Sequence, residues 1–477
     1  MFKETSKSKP GFHYMLRRLR MHRGRPSLYV DSPRLAAYGF CPGSTYAVEE
    51  DAGARKLVLR LGGTSRKVSA KADGEVSVID INSEAILGRY LEAEPLRVIA
   101  TVGAIFILPL VSVRQQLDRV DRLLGKLAKG EPLKSVSVSH GLGGTALAAH
   151  EGLQAVGVKA ELHAAIDLDE GLMLHAMNHN PSWTSRTHAV AAPMQEVVQD
   201  KWVLDTMGKV ELLDLGLPCA AASKAGVAKN KNTRMEQHPR VGHLVVPALM
   251  LVRDLQPAAI VIENVVSYRD TSSADLMRAM LRDMGYLVHE TVLNGRDFGS
   301  PEPRERWIMV AVTSGLDLDL SKVEKTGPGA EPLSGYLEDV PLDSPHWREY
   351  TYLKAKESRD LANGKGFKRQ EVHPTDTEIP VLRRGYWKGG STDPMLVHPE
   401  NPQLLRKLLA TEHCRVKGFD PSLVEGLSEV RAHEGLGQSV VKMVLVKVFE
   451  CLGRSIKNAR RPSAVTLVDD RYTLITG

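Results

Sequence analysis

Cysteine is scarce, with four in 477 residues: Cys41, Cys219, Cys414 and Cys451. Their scatter excludes a disulfide framework, and no CxxC pair offers a zinc site, so a reducing compartment and no metal are expected. Aromatic residues make up only 5% of the chain. Long apolar runs are missing too. The longest, Val98–Val111, is broken by Thr101, Gly103 and Pro109 and is too short to span a bilayer. The first residues are basic but lack the apolar core of a secretory leader. A cytoplasmic protein without a membrane partner is expected. Excess charge is also small, +6 from 63 Lys plus Arg and 57 Asp plus Glu.

The placement of that charge says more than its size. Residues 1–26 hold Lys3, Lys7, Lys9, Arg17, Arg18, Arg20, Arg23 and Arg25 against one acid, Glu4, so the rest of the chain is close to neutral. What is present is an ordinary globular balance, 43% apolar and 25% charged, which excludes wholesale disorder. At roughly 100–200 residues per domain, several cores are expected.

Behind the basic arm, residues 27–112 read as two β-rich halves in which strand, short helical turn and hairpin follow in the same order. This order resembles the swapped-hairpin DNA-binding modules of the AbrB and SymE type. A small β-barrel used for packing or self-association is the other reading. In residues 113–129 the apolar positions Leu117, Val120, Leu123, Leu124 and Leu127 predict an amphipathic helix, a linker that Gly130–Pro132 stops. From residue 133 strands alternate with helices: 134–139, 161–169, 210–218 and 258–264. Each strand ends in a polar or small residue, as strands do at the ligand edge of a doubly wound, Rossmann-like parallel sheet. A catalytic domain over 133–312 is therefore expected. Residues 313–405 lose the rhythm and form a smaller second domain. Helices over 406–460 complete the first, and 461–477 form a tail.

Four features carry the chemistry. Gly141, Gly143 and Gly144 follow a strand and open a helix, so the backbone can approach a ligand closely, and Asp167 and Asp169 close the next strand, where an acid commonly accepts hydrogen bonds from a ribose. By themselves these fit any nucleoside cofactor, or a turn made only for packing. Cys219, after Pro218 on a loop of small residues, fits a thiolate nucleophile or a small buried hydrophobe. Glu263, in Glu-Asn-Val at the end of an apolar strand, fits a proton donor, a helix cap or an ion-pair partner. Arg304 and Arg306 precede a later strand and can grip a carboxylate or phosphate, or form a solvated charge run.

In this order the four features resemble the DNA cytosine-5 methyltransferases. SVSHGLGG is similar to their cofactor motif, GLPCAAAS to their Pro-Cys motif, IENV to their Glu-Asn-Val motif and PEPRERW to their arginine motif. RKLLATEHCRVKGFD (406–420) and GLGQSVV (435–441) resemble their closing segments. The resemblance implies a methyl transfer from S-adenosylmethionine to C5 of a cytosine flipped out of duplex DNA, with Cys219 as nucleophile, Glu263 as acid, and Arg306 with Arg304 orienting Glu263 and the base. It implies a cofactor site at Ser139, Gly141, Gly143, Asp167, Leu168, Pro218, Leu244, Gln438 and Ser439. It makes 313–405 a target-recognition domain, with Ser223, Arg384, Lys388 and Thr392 on DNA, and Lys365, Lys368, Arg383, Tyr386 and Trp387 in the same basic, aromatic stretch. It also implies restriction-modification context and a protein near the nucleoid.

The chain departs from the family at several positions. Ser137 and Ser139 stand where Asp and Phe are usual, Ala220 and Glu302 stand for Gln, and Gln438 for Asn. HAVAAPMQEV offers no second cofactor acid. These departures motivate a second reading, a DNA-binding regulator of the same fold with weakened turnover. A third reading, an RNA cytosine-5 methyltransferase, is disfavoured by the size of 313–405.

Overall fold

The computed structural model describes residues 11–462 apart from 52, 54, 72–73, 75, 94, 219–221, 223–233 and 330. The chain divides into two compact units, one running to Asp118 and including the segment from Arg461, the other Arg119–Arg460.

In the first unit the two halves meet strand against equivalent strand. Arg25–Asp31 pairs antiparallel with Val76–Asn82, Tyr29 lying opposite Asp80. Lys56–Leu61 pairs with Ala104–Pro109, Val58 lying opposite Phe106. Alternate residues such as Leu28 and Val30, Leu57 and Leu59, Ile79 and Ile81 point into one core. Residues 13–26, assigned to the arm by charge, are strands of this unit. Leu19–His22 and Arg25–Asp31 form a hairpin whose two turn residues, Arg23 and Gly24, have φ of 52° and 74°. That is the two-residue turn whose twist suits paired strands. Arg18, Arg20, Arg23 and Arg25 stay exposed.

The helix Val111–Lys129 crosses the division, and its last three turns belong to the second unit. Buried Arg119 donates to Thr313 Oγ1 at 3.2 Å and Gln256 Oε1 at 2.8 Å, and its guanidinium lies 4.0 Å from the Tyr286 ring centre. Arg122 and Lys126 grip the buried Glu211 carboxylate at 2.9 and 2.8 Å. Charges are tolerated in such a place only when paired.

The second unit is built on seven strands: β1 (Leu133–Val138), β2 (Ala160–Asp167), β3 (His188–Ala191), β4 (Leu212–Leu215), β5 (Ala259–Asn264), β6 (Tyr286–Asn294) and β7 (Glu305–Thr313). Their order is β3-β2-β1-β4-β5-β7-β6, with β7 antiparallel to both neighbours. Chain order reverses between β1 and β4, the place where a doubly wound sheet opens a crevice beyond its carboxyl ends. The predicted doubly wound α/β class is what is found. Its helices include α1 (Gly144–Ala155), α2 (Glu170–His179), α3 (Val245–Leu255), α4 (Ser272–Asp283), α5 (Ala410–Val416), α6 (Glu429–Gln438) and α7 (Lys442–Lys457). Helix α7 returns from the far end of the sequence onto α1. The approach is close enough that a Cβ on Gly152 would stand 2.4 Å from the Val446 carbonyl. Residues 313–405 add a three-stranded sheet of short strands and a small core of Leu333, Trp347, Val372, Ile379 and Tyr386.

Candidate functional site

The glycine turn leaves β1 and wraps tightly before α1 begins. Ser139, Gly141 and Gly143 have φ of 58°, 55° and 75°, a region glycine enters freely and serine rarely does. Asp167, closing β2, receives the Gly141 amide on one carboxylate oxygen at 2.7 Å and the Asp169 amide on the other at 2.8 Å. Beside it Leu168 is 74% exposed, an apolar side chain held out at the sheet edge. Asp169 caps α2 and takes Arg431 of α6 on both oxygens at 2.8 and 2.7 Å. Burial works against its charge, but Arg431 and the Leu172 amide outweigh it and hold the carboxyl below its usual range.

Beneath the turn lies a buried polar chain that sequence reasoning missed. His140 stands in the glycine turn itself. Its Nδ1 is 3.0 Å from Ser137 Oγ and its Nε2 accepts the Trp183 indole N–H at 3.0 Å. Ser137 Oγ donates to Asp214 Oδ1 on β4 at 2.9 Å. Burial pushes the His140 imidazole down to about 3 and the Asp214 carboxyl up to about 7, with the Ser137 hydroxyl partly offsetting the second. Asn180 completes the floor, donating to the Leu142 and Gly143 carbonyls at 2.8 and 3.0 Å.

The closing segment folds back beside this turn. A Cβ on Gly144 would stand 2.5 Å from Ser439 Oγ, and one on Gly435 2.7 Å from Leu142 Cδ1. Gln438 is exposed and donates to the Glu434 carbonyl at 3.3 Å. Leu244 is buried and precedes α3, and Pro218 ends the described path out of β4. Cys219 and Ser223 lie outside the described residues.

The end of β5 and the turn after it hold described residues on either side of Cys219. Asn264 Nδ2 donates to the Leu217 carbonyl at 3.0 Å, and Ser267 Oγ to the Ala222 carbonyl at 2.6 Å. Glu263, one residue earlier, meets Arg306 Nε at 2.5 Å. The pair is about one-sixth exposed, a carboxylate and a guanidinium facing each other at the sheet edge.

Arg304 lines the same depression. It is buried, donates to the Gly437 carbonyl at 3.1 Å, and lies 3.8 Å from Glu302 Oε1. Glu302 is fully buried and paired with Lys417 at 2.5 Å, and it also accepts the Leu382 amide at 2.9 Å. The acid at this position is thus answered by a lysine from the chain just past α5. Burial, with the Arg304 charge second, pushes that lysine down to about 7.

The basic stretch of 313–405 divides. Arg384, Lys388 and Thr392 are exposed. Arg383 is tied to Asp393 at 2.6 Å, which also takes the Gly390 amide at 2.6 Å and so closes the loop on itself. Tyr386, expected near DNA for groove or stacking contacts, is fully buried. Its hydroxyl donates to the Pro394 carbonyl at 2.9 Å and accepts the Leu408 amide at 2.8 Å. Gly437 sits under this loop, where a Cβ would stand 2.3 Å from Arg384 N.

A family model, C-5 cytosine-specific DNA methylase, matches residues 134–457. Type II methyltransferase M.NlaX of Neisseria lactamica is 28% identical over 270 residues, 55% of this chain and 79% of that protein. M.HhaI of Haemophilus parahaemolyticus is 25% identical over 266 residues, 52% of this chain and 76% of that protein. Among solved structures, the S. pombe Dnmt2 methyltransferase superposes with a TM-score of 0.53 at 19% identity, covering 68% of this chain and 98% of its own. The Entamoeba histolytica methyltransferase EhMeth does so at 0.52 and 16%, with the same coverage. At those identities the two structures speak for the fold.

Proposed function

Because the chain belongs to the C-5 cytosine-specific DNA methylases, matched by their model over residues 134–457, we propose that it methylates C5 of a cytosine flipped out of duplex DNA. The observation that carries this reading is the Glu263–Arg306 pair at 2.5 Å. Beside it Asn264 holds the Leu217 carbonyl, two residues before Cys219, at 3.0 Å. A carboxylic acid and the stem of a cysteine loop converge at one sheet edge, as attack on C6 with protonation at N3 requires.

The chemistry follows from those groups. A flipped base enters the crevice, and the Cys219 thiolate adds to C6. Glu263 holds N3 and the exocyclic amine and delivers the proton that offsets the charge arising on the ring. Arg306 fixes that carboxylate. Bond formation at C6 leaves C5 electron-rich, and S-adenosylmethionine supplies the methyl group when bound. Loss of the C5 proton to water, departure of the thiolate and return of the N3 proton to Glu263 restore the aromatic ring.

The residues fit that cofactor. Gly141 has open space where a Cβ would project. Asp167 keeps lone pairs for ribose hydroxyls, and exposed Leu168 offers a face to a purine. Gly143, Pro218, Leu244 and Ser439 complete the site, with Ser139 and Gln438 at its margin. Arg304, which lines the same depression and donates to the Gly437 carbonyl, is assigned with Arg306 to orienting Glu263 and the base. Arg384, Lys388 and Thr392, with Ser223, are assigned to phosphate and groove contacts. The 313–405 segment reads the target, and the first unit adds phosphate contacts through its hairpin.

The test pairs labelled S-adenosylmethionine with mixed-sequence duplex DNA and with RNA, wild type beside Cys219→Ser. Label passing to DNA from wild type alone is expected, and bisulfite sequencing of the product reads out the target. Binding of DNA without transfer by either protein would favour the regulator reading, and label on RNA alone the RNA reading.

A further inference from the structure

The buried chain under the glycine turn has a direction set by its donors and acceptors. Trp183 Nε1 can only donate, so His140 Nε2, 3.0 Å away, must be the unprotonated nitrogen. The imidazole proton then sits on Nδ1 and is donated to Ser137 Oγ at 3.0 Å. With that acceptor site filled, the Ser137 hydroxyl proton goes to Asp214 Oδ1 at 2.9 Å. Four side chains from two strands, the turn and the segment after α2 thus form one polar chain running from Trp183 to a carboxylate.

Its end point lies directly across the sheet from its middle. Ser137 and Asp214 are paired residues of the parallel strands β1 and β4. The carboxylate usual at position 137 in the family is absent there, and one stands instead on the adjoining strand, aimed at the serine. The other end supports the turn itself. A Cβ on Gly143 would stand 2.5 Å from His140 Nε2, and the Gly143 amide donates to the His140 carbonyl at 2.7 Å.

We propose that Asp214 is a positioning residue for the cofactor: through Ser137 it holds His140 in one tautomer and one orientation, and His140 is the post around which Gly141–Gly144 is wrapped. The proposal rests on the reading of that turn as the S-adenosylmethionine site. Removing the carboxylate leaves the Ser137 hydroxyl without its acceptor, frees it to rotate, and loosens the imidazole under Gly143.

Asp214→Leu removes the acceptor, Ser137→Ala removes the link, and Asp214→Asn keeps an oxygen for Ser137 without the charge. Calorimetric binding of S-adenosylmethionine and the KM–kcat split are measured for each, with the ring-nitrogen chemical shifts of His140 by NMR. The Leu and Ala variants are expected to raise the cofactor Kd and KM about tenfold or more, the scale of a buried polar group left without its partner. Their kcat at saturating cofactor and their DNA affinity stay near wild type, and the Asn variant recovers cofactor binding. Wild-type His140 shows its proton on Nδ1. If the Leu variant does not fold, Ser137→Ala and the wild-type spectrum decide. Absence of cofactor binding by the wild type overturns the function proposed above. Wild-type affinity in both disrupted variants, no recovery in Asp214→Asn, or a proton on Nε2 overturns this inference alone.

Discussion

Glu263 and Asp214 are both carboxylates of the central sheet, yet their surroundings assign them different work. Glu263 faces Arg306 at a partly open edge, where a proton can be exchanged with a bound base. Glu263→Gln keeps the shape and removes the acid, so kcat is expected to fall by about 10²–10⁴ while DNA affinity is retained, as stopped-flow transfer and gel-shift titration measure. Asp214 is buried against the Ser137 hydroxyl, and burial lifts its carboxyl from an ordinary 3.8 to about 7. The folded state therefore holds that proton more tightly than the unfolded one. The stabilisation is complete below about pH 4 and is lost as pH rises to about 7, at most about 4 kcal/mol in all. Asp214→Asn removes the titration. Its Tm should exceed that of wild type at pH 8 and converge with it near pH 4, and an equal shift at both values would show the carboxyl to be solvated. The motif residues were legible in the sequence because each sits in a short local pattern. The Asp214–Ser137 pair was not, since the partners are 77 positions apart in the chain and only strand register joins them.

At the scale of elements, glycines decide how closely the pieces meet. Helix α7 lies on α1 at Gly152, and the Val446 carbonyl would stand 2.4 Å from an added Cβ. Gly152→Ala is thus expected to cost about 1–3 kcal/mol by overpacking, seen as a lower urea midpoint with an unchanged slope. The last residue of β5 and the turn after it hold the chain around Cys219 at Leu217 and Ala222. Asn264→Ala should lower kcat about tenfold or more while leaving cofactor Kd alone, because it frees a loop end rather than the glycine turn. Unchanged turnover would sink that role. Periodicity foretold β1, β2, β4 and β5 and a helix over 113–129, found as Val111–Lys129. Which of the two arginines reaches Glu263 it could not say. Arg304 and Arg306 are two positions apart on one extended segment, and contacts with the Gly437 carbonyl and with Glu302, itself paired with Lys417, distinguish the first.

For the whole molecule, charge placement separates grip from recognition. Arg18, Arg20, Arg23 and Arg25 stand exposed on the hairpin of the first unit. Replacing all four with Gln should flatten the dependence of log K on log salt by up to about 0.9 for each phosphate that the protein ceases to neutralise, with the methylated sequence unchanged by bisulfite readout. An unaltered slope would remove the hairpin from the DNA interface. The duplicated order of residues 27–112 was visible as repeated text. That the halves meet through equivalent strands, and that the basic residues 13–26 join them as strands, emerged only from pairing.

The sequence by itself determined the class of the sheet, the order of its motifs, and which residues, Cys219, Glu263 and Arg306, are proposed as nucleophile, acid and arginine. Those signals are local: alternation, glycine before a helix, a few adjacent letters. The tertiary structure alone decided which charges meet, which tyrosine is buried instead of facing DNA, and how a serine at position 137 acquires a carboxylate from β4. Such relations depend on register and close approach between segments far apart in the chain. No local pattern encodes them.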